Sequence, residues 1–400
     1  MLQVFCRRMA SSSAFDRISI APMLNVTNEY QRYLVRLMTK RTTLYTEMFV
    51  DEMLLHAPNV ENLLKFDDLE HPIIAQLGGC NKYRLLEAAK LIEERGYDGI
   101  NLNCGCPSPK VSEGCFGARL MLSPWRVYDI VQYLQRNLSI PVTVKCRIGV
   151  DNHDSYEELK KFIRIVSGEA ARQGELMEET ASDDDLRELE VPIAPKNSSF
   201  GATHFIIHAR KCLLNGLTTK QNRSIPPLHY DWVYRLLDDF PNLDFSINGG
   251  VLSLKQANDL LERTSQKGRH VRGVMIGRLL TKAPWVFHYV DQFFYNQSNP
   301  PMSRYDTILA YISFCEEMER QGRTRYFSPN ELLKPLFNMF AGIPGGCQFR
   351  RGIHEAVCKE HKPLREAVVS SLRFLAPDVL HDKMEGDREH MEQYKAPNEE

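Results

Sequence analysis

Eight short apolar runs recur between residues 17 and 278, and most of them are separated by segments with the spacing of amphipathic helices. The runs lie at 18–22, 43–49, 72–77, 99–103, 142–148, 203–209, 244–248 and 273–277. Apolar strands that alternate with amphipathic helices indicate a parallel sheet covered by helices. Eight such units predict an α/β fold, a (β/α)8 TIM barrel. An open dinucleotide-binding sheet is disfavoured, because the turn after the first run reads APMLNVTN and has no glycine fingerprint.

The regular alternation is broken by an acidic segment and stops near residue 300, which divides the chain. After that point the apolar spacing is helical at 303–321, 331–340 and 355–376. We therefore predict a small all-helical C-terminal domain after the barrel. The expected boundaries are a disordered or transit-like N-terminus at 1–16, a barrel at 17–299 with an acidic insertion at 168–200, a helical domain at 300–377 and an acidic tail at 378–400.

The net charge of −1 hides an uneven distribution. Residues 169–190 carry a net charge of −7 and residues 378–400 carry −5, which leaves +11 on the rest of the chain. A basic body with two acidic segments is compatible with a polyanionic partner such as a nucleic acid. A solvated helix surface would give the same charge, so the charge alone does not decide between the two.

Composition and the N-terminal residues restrict the compartment. No apolar run is long enough to span a bilayer, which argues against an integral membrane protein. Ten cysteines in 400 residues are too few for a secreted disulfide scaffold. The first 15 residues hold Arg7, Arg8 and three serines but no acid, which fits either an organelle transit peptide or a disordered start. We expect a protein that is not secreted and that lies in the cytoplasm or in a mitochondrion or plastid.

Polar residues or glycines stand at the carboxyl ends of the predicted strands, where TIM barrels place their chemistry. Asn248-Gly249-Gly250 and Gly277-Arg278 follow the last two strands, whose loops commonly bind phosphate in this fold. A phosphorylated cofactor or substrate is therefore expected there. Lys145, at the end of the fifth strand, could hold a delocalised negative charge or form a structural ion pair.

Eight blocks between residues 17 and 365 carry a family resemblance, with 168–200 outside it. They read APML at 21–24, LYTEM at 44–48, AQLGG at 75–79, NLNCGCPSPKV at 101–111, VTVKCRIG at 142–149, HARKCLLNGLTTKQNRSIPPL at 208–228, INGGV at 247–251 and GVMIGR at 273–278. In these blocks the chain resembles the tRNA dihydrouridine synthases, and most closely their bacterial subgroup DusA. The family consists of FMN-dependent TIM-barrel enzymes that reduce uridine in tRNA.

The resemblance implies FMN as the cofactor and NADPH as the reductant. It assigns contacts with the flavin ring to the turn at 21–23 and to Gln76, and contacts with its N1/O2 edge to Lys145. The remaining residues would hold the ribityl phosphate. The complete set of expected cofactor contacts is Ala21, Pro22, Met23, Gln76, Lys145, His208, Asn248, Gly249, Gly250, Gly277 and Arg278.

The resemblance also implies the reaction and its proton donor. Hydride passes from reduced FMN to C6 of the uridine, and the cysteine of the GCP motif, Cys106, gives a proton to C5. A thiol with a pKa close to neutrality would be a serviceable general acid. Asn103, two residues after Asn101 on the same strand face, would contact the uracil.

A uridine within folded tRNA has to leave its stack to reach such a site. The resemblance assigns tRNA contacts to Lys220 and Arg223, and to Arg350 in the helical domain. Cys347 stands where the subgroup has a basic residue, which puts one phosphate contact in doubt, and Arg351 could replace it. The partner is thus expected to be tRNA, the membrane is not a partner, and the protein is expected to be a monomer.

Other interpretations of the cysteines and of the function remain open. No metal site is expected, because the three cysteines at 104, 106 and 115 lack a matching ligand pair. Cys104 should be a core residue, and Cys115 is either part of a lid or an inert loop thiol. The alternative functions are an FMN-dependent TIM-barrel oxidoreductase for a small pyrimidine-like substrate and a non-catalytic tRNA-binding protein.

Overall fold

Most of the chain is described by a computed structural model, which covers residues 17–109, 111, 114–175, 201–324 and 327–381. The predicted N-terminal segment 1–16 lies outside the described residues, as do 176–200 of the expected insertion and 382–400 of the expected tail. The first part of the expected insertion forms the short helix Glu169–Arg172. The start of the expected tail belongs to the helix Pro377–His381.

Eight parallel strands form the centre of the fold, one for each predicted apolar run. They are β1 (Ile18–Ile20), β2 (Leu44–Val50), β3 (Ile73–Gly78), β4 (Gly99–Cys104), β5 (Val142–Arg147), β6 (His204–His208), β7 (Asp244–Asn248) and β8 (Gly273–Ile276). The order around the sheet is β1-β8-β7-β6-β5-β4-β3-β2. From β2 to β8, strands that follow one another in the chain are therefore neighbours in the sheet.

Backbone hydrogen bonds between β1 and the residue that precedes β2 close the sheet on itself. The Ile20 amide donates to the Thr43 carbonyl at 2.9 Å, and the Thr43 amide donates to the Ile18 carbonyl at 3.0 Å. Ser19 and Thr43 form the corresponding parallel bridge. The predicted (β/α)8 TIM barrel is confirmed.

Helices connect the strands and cover the outside of the barrel. They are α1 (Glu29–Met38), α2 (Asp51–His56), α3 (Val60–Leu63), α4 (Lys82–Arg95), α5 (Pro124–Asn137), α6 (Tyr156–Val166), α7 (Glu169–Arg172), α8 (Tyr230–Asp239), α9 (Leu254–Glu262), α10 (Arg278–Lys282) and α11 (Val290–Tyr295). Several begin where the sequence supplies a capping side chain. The Asn81 side chain accepts from the backbone amides of Tyr83 and Arg84 at the start of α4, and Ser155 forms a capping box with Glu158 at the start of α6.

Alternating side chains of each strand point to the helices and to the barrel interior. On β6, Phe205 and Ile207 join the large apolar core shared with the helices. Ile206 belongs to a small separate cluster inside the barrel. His204 contacts Ser246 of β7 at 2.8 Å, while His208 reaches the open end. The inward residues near the carboxyl end of each strand therefore meet at one mouth.

The region after residue 300 is helical, as the sequence predicts, but two helix boundaries differ from the prediction. The elements are α12 (Arg304–Arg320), α13 (Pro329–Leu333), the 3-10 turn Lys334–Leu336, α14 (Gly346–Cys358), α15 (Leu364–Ser371), the 3-10 turn Leu372–Phe374 and α16 (Pro377–His381). In place of the single helix predicted at 331–340, the structure has α13 and a 3-10 turn. The helix predicted at 355–376 is divided between α14 and α15. Pro335 accounts for the first correction, because it lacks the amide donor that a continuing α-helix needs. Pro363 accounts for the second, because it is extended, with ψ 149°, as the N-cap of α15.

The helical region packs on the barrel next to α1, the helix that follows β1. The Tyr33 ring of α1 stacks on Phe314 of α12 with centroids 3.8 Å apart. Arg323 pairs with Glu29 at the start of α1. Among the residues that the structure describes, none of the helices combines the length and apolar character needed to cross a bilayer.

Candidate active site

A cavity of about 410 Å³ opens at the carboxyl ends of the strands and receives residues from every strand or from the loop that follows it. All eleven residues expected to contact the cofactor line this cavity. Cys106, Asn103 and Arg223 line it as well, whereas Lys220 and Arg350 do not. The strand-end pattern thus brings together the whole expected cofactor set and the expected proton donor.

A chain of side-chain amides forms the floor of the cavity on β3, β4 and β5. Gln76 is 1% exposed, and its Nε2 donates to Asn101 Oδ1 at 2.8 Å. Asn103 Nδ2 donates to Gln76 Oε1 at 2.8 Å, and Asn101 Nδ2 donates to Thr143 Oγ1 at 2.9 Å. Because each amide is held by its neighbour, the Gln76 side chain is fixed at the cavity wall.

Asn103 also holds the loop that carries Cys106. Its Oδ1 accepts hydrogen bonds from the backbone amides of Gly105 and Cys106, both at 3.0 Å. On the other side of the loop, Arg147 Nε donates to the Gly105 carbonyl at 3.1 Å. The peptide before Cys106 is therefore held from both sides. The sequence-based role of Asn103, contact with the uracil, stays a prediction.

Arg147 also lines the cavity, and no role was predicted for it from the sequence. Its Nη1 donates to the carbonyls of Lys211 at 3.2 Å and Asn222 at 2.8 Å, both in the loop after β6. One guanidinium thus joins the Cys106 loop to the loop that carries Lys220 and Arg223. Strand alternation could have identified it, because Arg147 is two residues after Lys145 and must share its side of β5.

The thiol of Cys106 differs from the expectation of a pKa close to neutrality. Burial raises its pKa, and a backbone hydrogen bond at Ser108 and the charges of Arg147, Lys145 and Arg223 only partly oppose this. The correction follows from the position of the sulfur inside the cavity, where water is displaced and the thiolate is less well solvated. At neutral pH the group therefore carries its proton.

Positive charge is concentrated at the mouth. Burial lowers the pKa of His208 well below its usual range, and the charges of Arg147, Lys145, Arg210 and Arg278 lower it further. Among the described residues that line the cavity there is no Asp or Glu. A neutral histidine among four cations, without a lining carboxylate, is the electrostatic pattern of an anion site.

Lys145 is held in this group by Asn248. Its Nζ donates to Asn248 Oδ1 at 3.0 Å, and Asn248 Nδ2 donates to the Met275 carbonyl at 2.8 Å. Burial, and after it the charge of Arg147, lowers the pKa of Lys145 to about 8. The sequence left open whether Lys145 holds a delocalised negative charge or forms a structural ion pair. Among the described residues, Lys145 is bonded to an amide rather than to a carboxylate.

The two glycines after β7 leave room for the backbone to approach a ligand. Gly249 has φ +108°, and a Cβ there would lie 2.5 Å from His208 Cδ2. Gly250 has φ +74°, and a Cβ there would lie 2.5 Å from Leu228 Cδ1. Both positions therefore require glycine, and both line the cavity, where backbone amides suit a phosphate group.

The residues expected to contact tRNA lie at different depths. Arg223 lines the cavity in the 3-10 turn Gln221–Arg223, and burial followed by the charge of Arg278 lowers its pKa. Lys220 is exposed just before that turn. Arg350 is exposed on α14, with a long contact of 3.4 Å to Asn338, and the neighbouring Cys347 is exposed too.

The other two of the three cysteines at 104, 106 and 115 are separated from Cys106. Cys104 is fully buried in the core between sheet and helices, as strand alternation predicted. Cys115 is half-buried with φ +57°, and its part in a lid stays a prediction.

Comparison with known proteins assigns this site to a family. The family model for dihydrouridine synthase (Dus) matches residues 19–173 and 180–373. The chain belongs to the dihydrouridine synthase family. The match includes the strands of the barrel, the cavity residues and most of the helical region, so the Dus assignment covers the barrel and the site.

Two curated relatives of this Dus protein illustrate how far the similarity extends. The tRNA-dihydrouridine(20/20a) synthase of Vibrio vulnificus (strain CMCP6) is 39% identical over 347 residues, which are 87% of this chain and 92% of the relative. The enzyme of the same name from Escherichia coli (strain K12) is 40% identical over 339 residues, which are 85% and 86% of the two chains. The crystal structure of TcOYE with pHBA overlays 72% of this chain and 91% of that chain at 12% identity and a TM-score of 0.43, and the family assignment does not depend on it.

The raised pKa of Cys106 leads to a prediction about its reactivity. The rate of alkylation of Cys106 by iodoacetamide should be low at neutral pH and should rise with pH, with a midpoint above that of N-acetylcysteine, because burial retains the proton. Mass spectrometry of the Cys106 peptide separates it from the exposed Cys347 and Cys358. A midpoint at or below that of N-acetylcysteine would contradict the protonated thiol.

Proposed function

We propose that this Dus protein is a flavin-dependent tRNA-dihydrouridine synthase that reduces the C5–C6 bond of a uridine in the D-loop of tRNA. The observation that carries the proposal is the position of the Cys106 thiol at the same mouth as a cationic, glycine-lined pocket. The first feature suits a proton donor and the second suits a phosphorylated cofactor. The names of the curated relatives support the tRNA substrate.

The residues that line the pocket suit the chemistry of FMN. The glycine backbone after β7, with Lys145, His208 and Arg278, would hold the phosphate and the electron-rich edge of the ring. Gln76, fixed by Asn101 and Asn103, and the turn at 21–23 would lie along the flavin ring. Bound FMN, once reduced, would supply the hydride that C6 of the uridine accepts, and NADPH is the reductant we propose.

Cys106 supplies the proton that completes the reduction. As the C5=C6 double bond is reduced, the S–H bond of Cys106 breaks and the proton goes to C5, which leaves a thiolate. Lys145, Arg147 and Arg223 stabilise that thiolate, since each of them lowers the pKa of Cys106. The sulfur then regains a proton from solvent, and the hydrogen bonds to Gly105 keep its loop in place throughout.

The tRNA would lie across the mouth and the helical region. The target uridine has to leave its stack to enter the cavity. Arg223 stands inside the entrance, Lys220 at its rim and Arg350 on α14, so the three would follow the phosphate backbone outward. We propose the helical domain at 300–377 as the second tRNA-binding surface, a monomer as the active form, and positions 20 and 20a, as named in the relatives, as the targets.

Replacement of Cys106 tests the proposed function directly. Cys106→Ala should bind FMN and tRNA like the wild-type protein but form dihydrouridine roughly 100- to 10,000-fold more slowly, the usual range for loss of a general acid. Dihydrouridine is measured by mass spectrometry of digested tRNA after incubation with NADPH.

The matched control is Cys358→Ala, which removes an exposed thiol at the end of α14. It should leave turnover unchanged. If Cys106→Ala keeps full turnover, Cys106 is not the proton donor. If the wild-type protein binds neither flavin nor tRNA, the proposed function itself is wrong.

The helical region leads to a prediction about salt dependence. Arg350→Ala should weaken tRNA binding several-fold and reduce the slope of log affinity against log salt concentration by about 1, because one phosphate contact is lost. Lys90→Ala is the control, since Lys90 is exposed on α4, outside both the cavity and the helical region. Equal losses for both variants, measured by fluorescence anisotropy at several salt concentrations, would contradict a specific role for Arg350.

A further inference from the structure

A tight turn at the mouth of the barrel, residues 23–27, keeps one large apolar side chain in solvent. Leu24 is 74% exposed, more than any other large apolar side chain among the described residues. It also lines the cavity. Single exposed apolar side chains are common on protein surfaces, so the exposure alone assigns no role. The role of Leu24 follows from the hydrogen bonds that hold the turn and from its place beside the cavity.

Hydrogen bonds within the turn fix its backbone. The amides of Val26 and Thr27 donate to the Met23 carbonyl at 3.0 and 2.9 Å, and the Met23 amide donates to Thr27 Oγ1 at 2.9 Å. Asn25 adopts the left-handed conformation with φ +59°, which asparagine tolerates better than most residues. Leu24 therefore stands on a rigid support rather than on a mobile loop.

The turn is also fixed to its surroundings on two sides. The Asn25 amide donates to the Glu47 carboxylate of β2. The Asn25 carbonyl accepts from Lys334 Nζ of the helical region at 3.1 Å. Arg32 Nη1 donates to the Thr27 carbonyl at 2.9 Å. The turn is thus held jointly by the barrel and the helical region.

Leu24 consequently lies between the cavity and the proposed second tRNA surface. An RNA that places one uridine in the cavity and extends toward the helical region would pass close to it. The cations that line the cavity, Arg223 and Arg278 among them, favour an anionic strand along this path. A base that leaves its stack opens a gap, and proteins that distort nucleic acids fill such gaps with apolar side chains such as leucine.

We propose that Leu24 packs against the nucleobase next to the target uridine and occupies the space that the uridine leaves when it enters the cavity. This inference rests on the proposed function. The rigid turn makes the contact efficient, because little backbone freedom is lost when the RNA binds.

A chemical double-mutant cycle tests the contact through binding alone. The affinity of the oxidised, FMN-loaded protein is measured by fluorescence anisotropy with three tRNA transcripts. One is intact, and the other two carry an abasic nucleotide on the 5′ or the 3′ side of the target uridine. The proteins are the wild type, Leu24→Ser, Leu24→Met and Leu69→Ser. Leu69 is the matched control, because it is 58% exposed but precedes β3, at the other end of the barrel.

Leu24→Ser should bind intact tRNA about tenfold more weakly, the scale of one lost base contact. The loss should fall to about twofold or less on one of the two abasic transcripts, because the partner base is already missing there. Leu24→Met, which keeps an apolar side chain of similar size, should lose less than Leu24→Ser, and Leu69→Ser should behave like the wild type.

Three results would overturn the inference: no loss with Leu24→Ser, an equal loss on all three transcripts, or a loss accompanied by weaker FMN binding or an altered flavin spectrum. The last result would show that Leu24 serves the cofactor. Failure of the wild-type protein to bind intact tRNA would overturn the proposed function, and the inference with it.

Discussion

The alternation of side chains along strands of a closed barrel determines where the chemistry of this protein can lie. Because the β1–β2 hydrogen bonds close the sheet, every second residue faces a shared interior and the others face the helices. On β4 this separates Asn103, which faces the cavity, from Cys104, which is buried in the outer core. On β5 it places Lys145 and Arg147 on the same inner side.

The mouth that results is costly for a folded protein without a ligand. Lys145, Arg147, Arg223 and Arg278 share one cavity without a carboxylate among the described lining residues, and His208 has to remain neutral beside them. Such a concentration of like charge is expected where an anionic ligand binds. Three of these cations, Lys145, Arg147 and Arg223, also lower the energy of the Cys106 thiolate, so the proposed cofactor binding and proton transfer would depend on one electrostatic arrangement.

Much of this arrangement could be predicted from the sequence, since an apolar run and its last polar residue are local features. The strands and the cavity residues from Ala21 to Arg278 follow from that pattern and from the family resemblance. Long-range contacts were not predictable in this way. The bonds of Arg147 to Lys211 and Asn222 join residues 64 and 75 positions apart. The raised pKa of Cys106 was not predictable, because it depends on burial. The division of the late helices could have been predicted from Pro335 and Pro363, but the prediction followed the apolar spacing instead.

The central claim is that one cavity holds a flavin and a proton donor that together reduce uridine in tRNA. An anaerobic single turnover tests it most directly. The FMN-loaded protein is reduced with NADPH, freed of excess reductant and mixed with unmodified tRNA transcript. The flavin should be reoxidised while one dihydrouridine forms per flavin. The dihydrouridine should lie at position 20 or 20a, the positions that appear in the names of the relatives. A flavin that stays reduced in the presence of tRNA, or that is reoxidised without dihydrouridine, would contradict it.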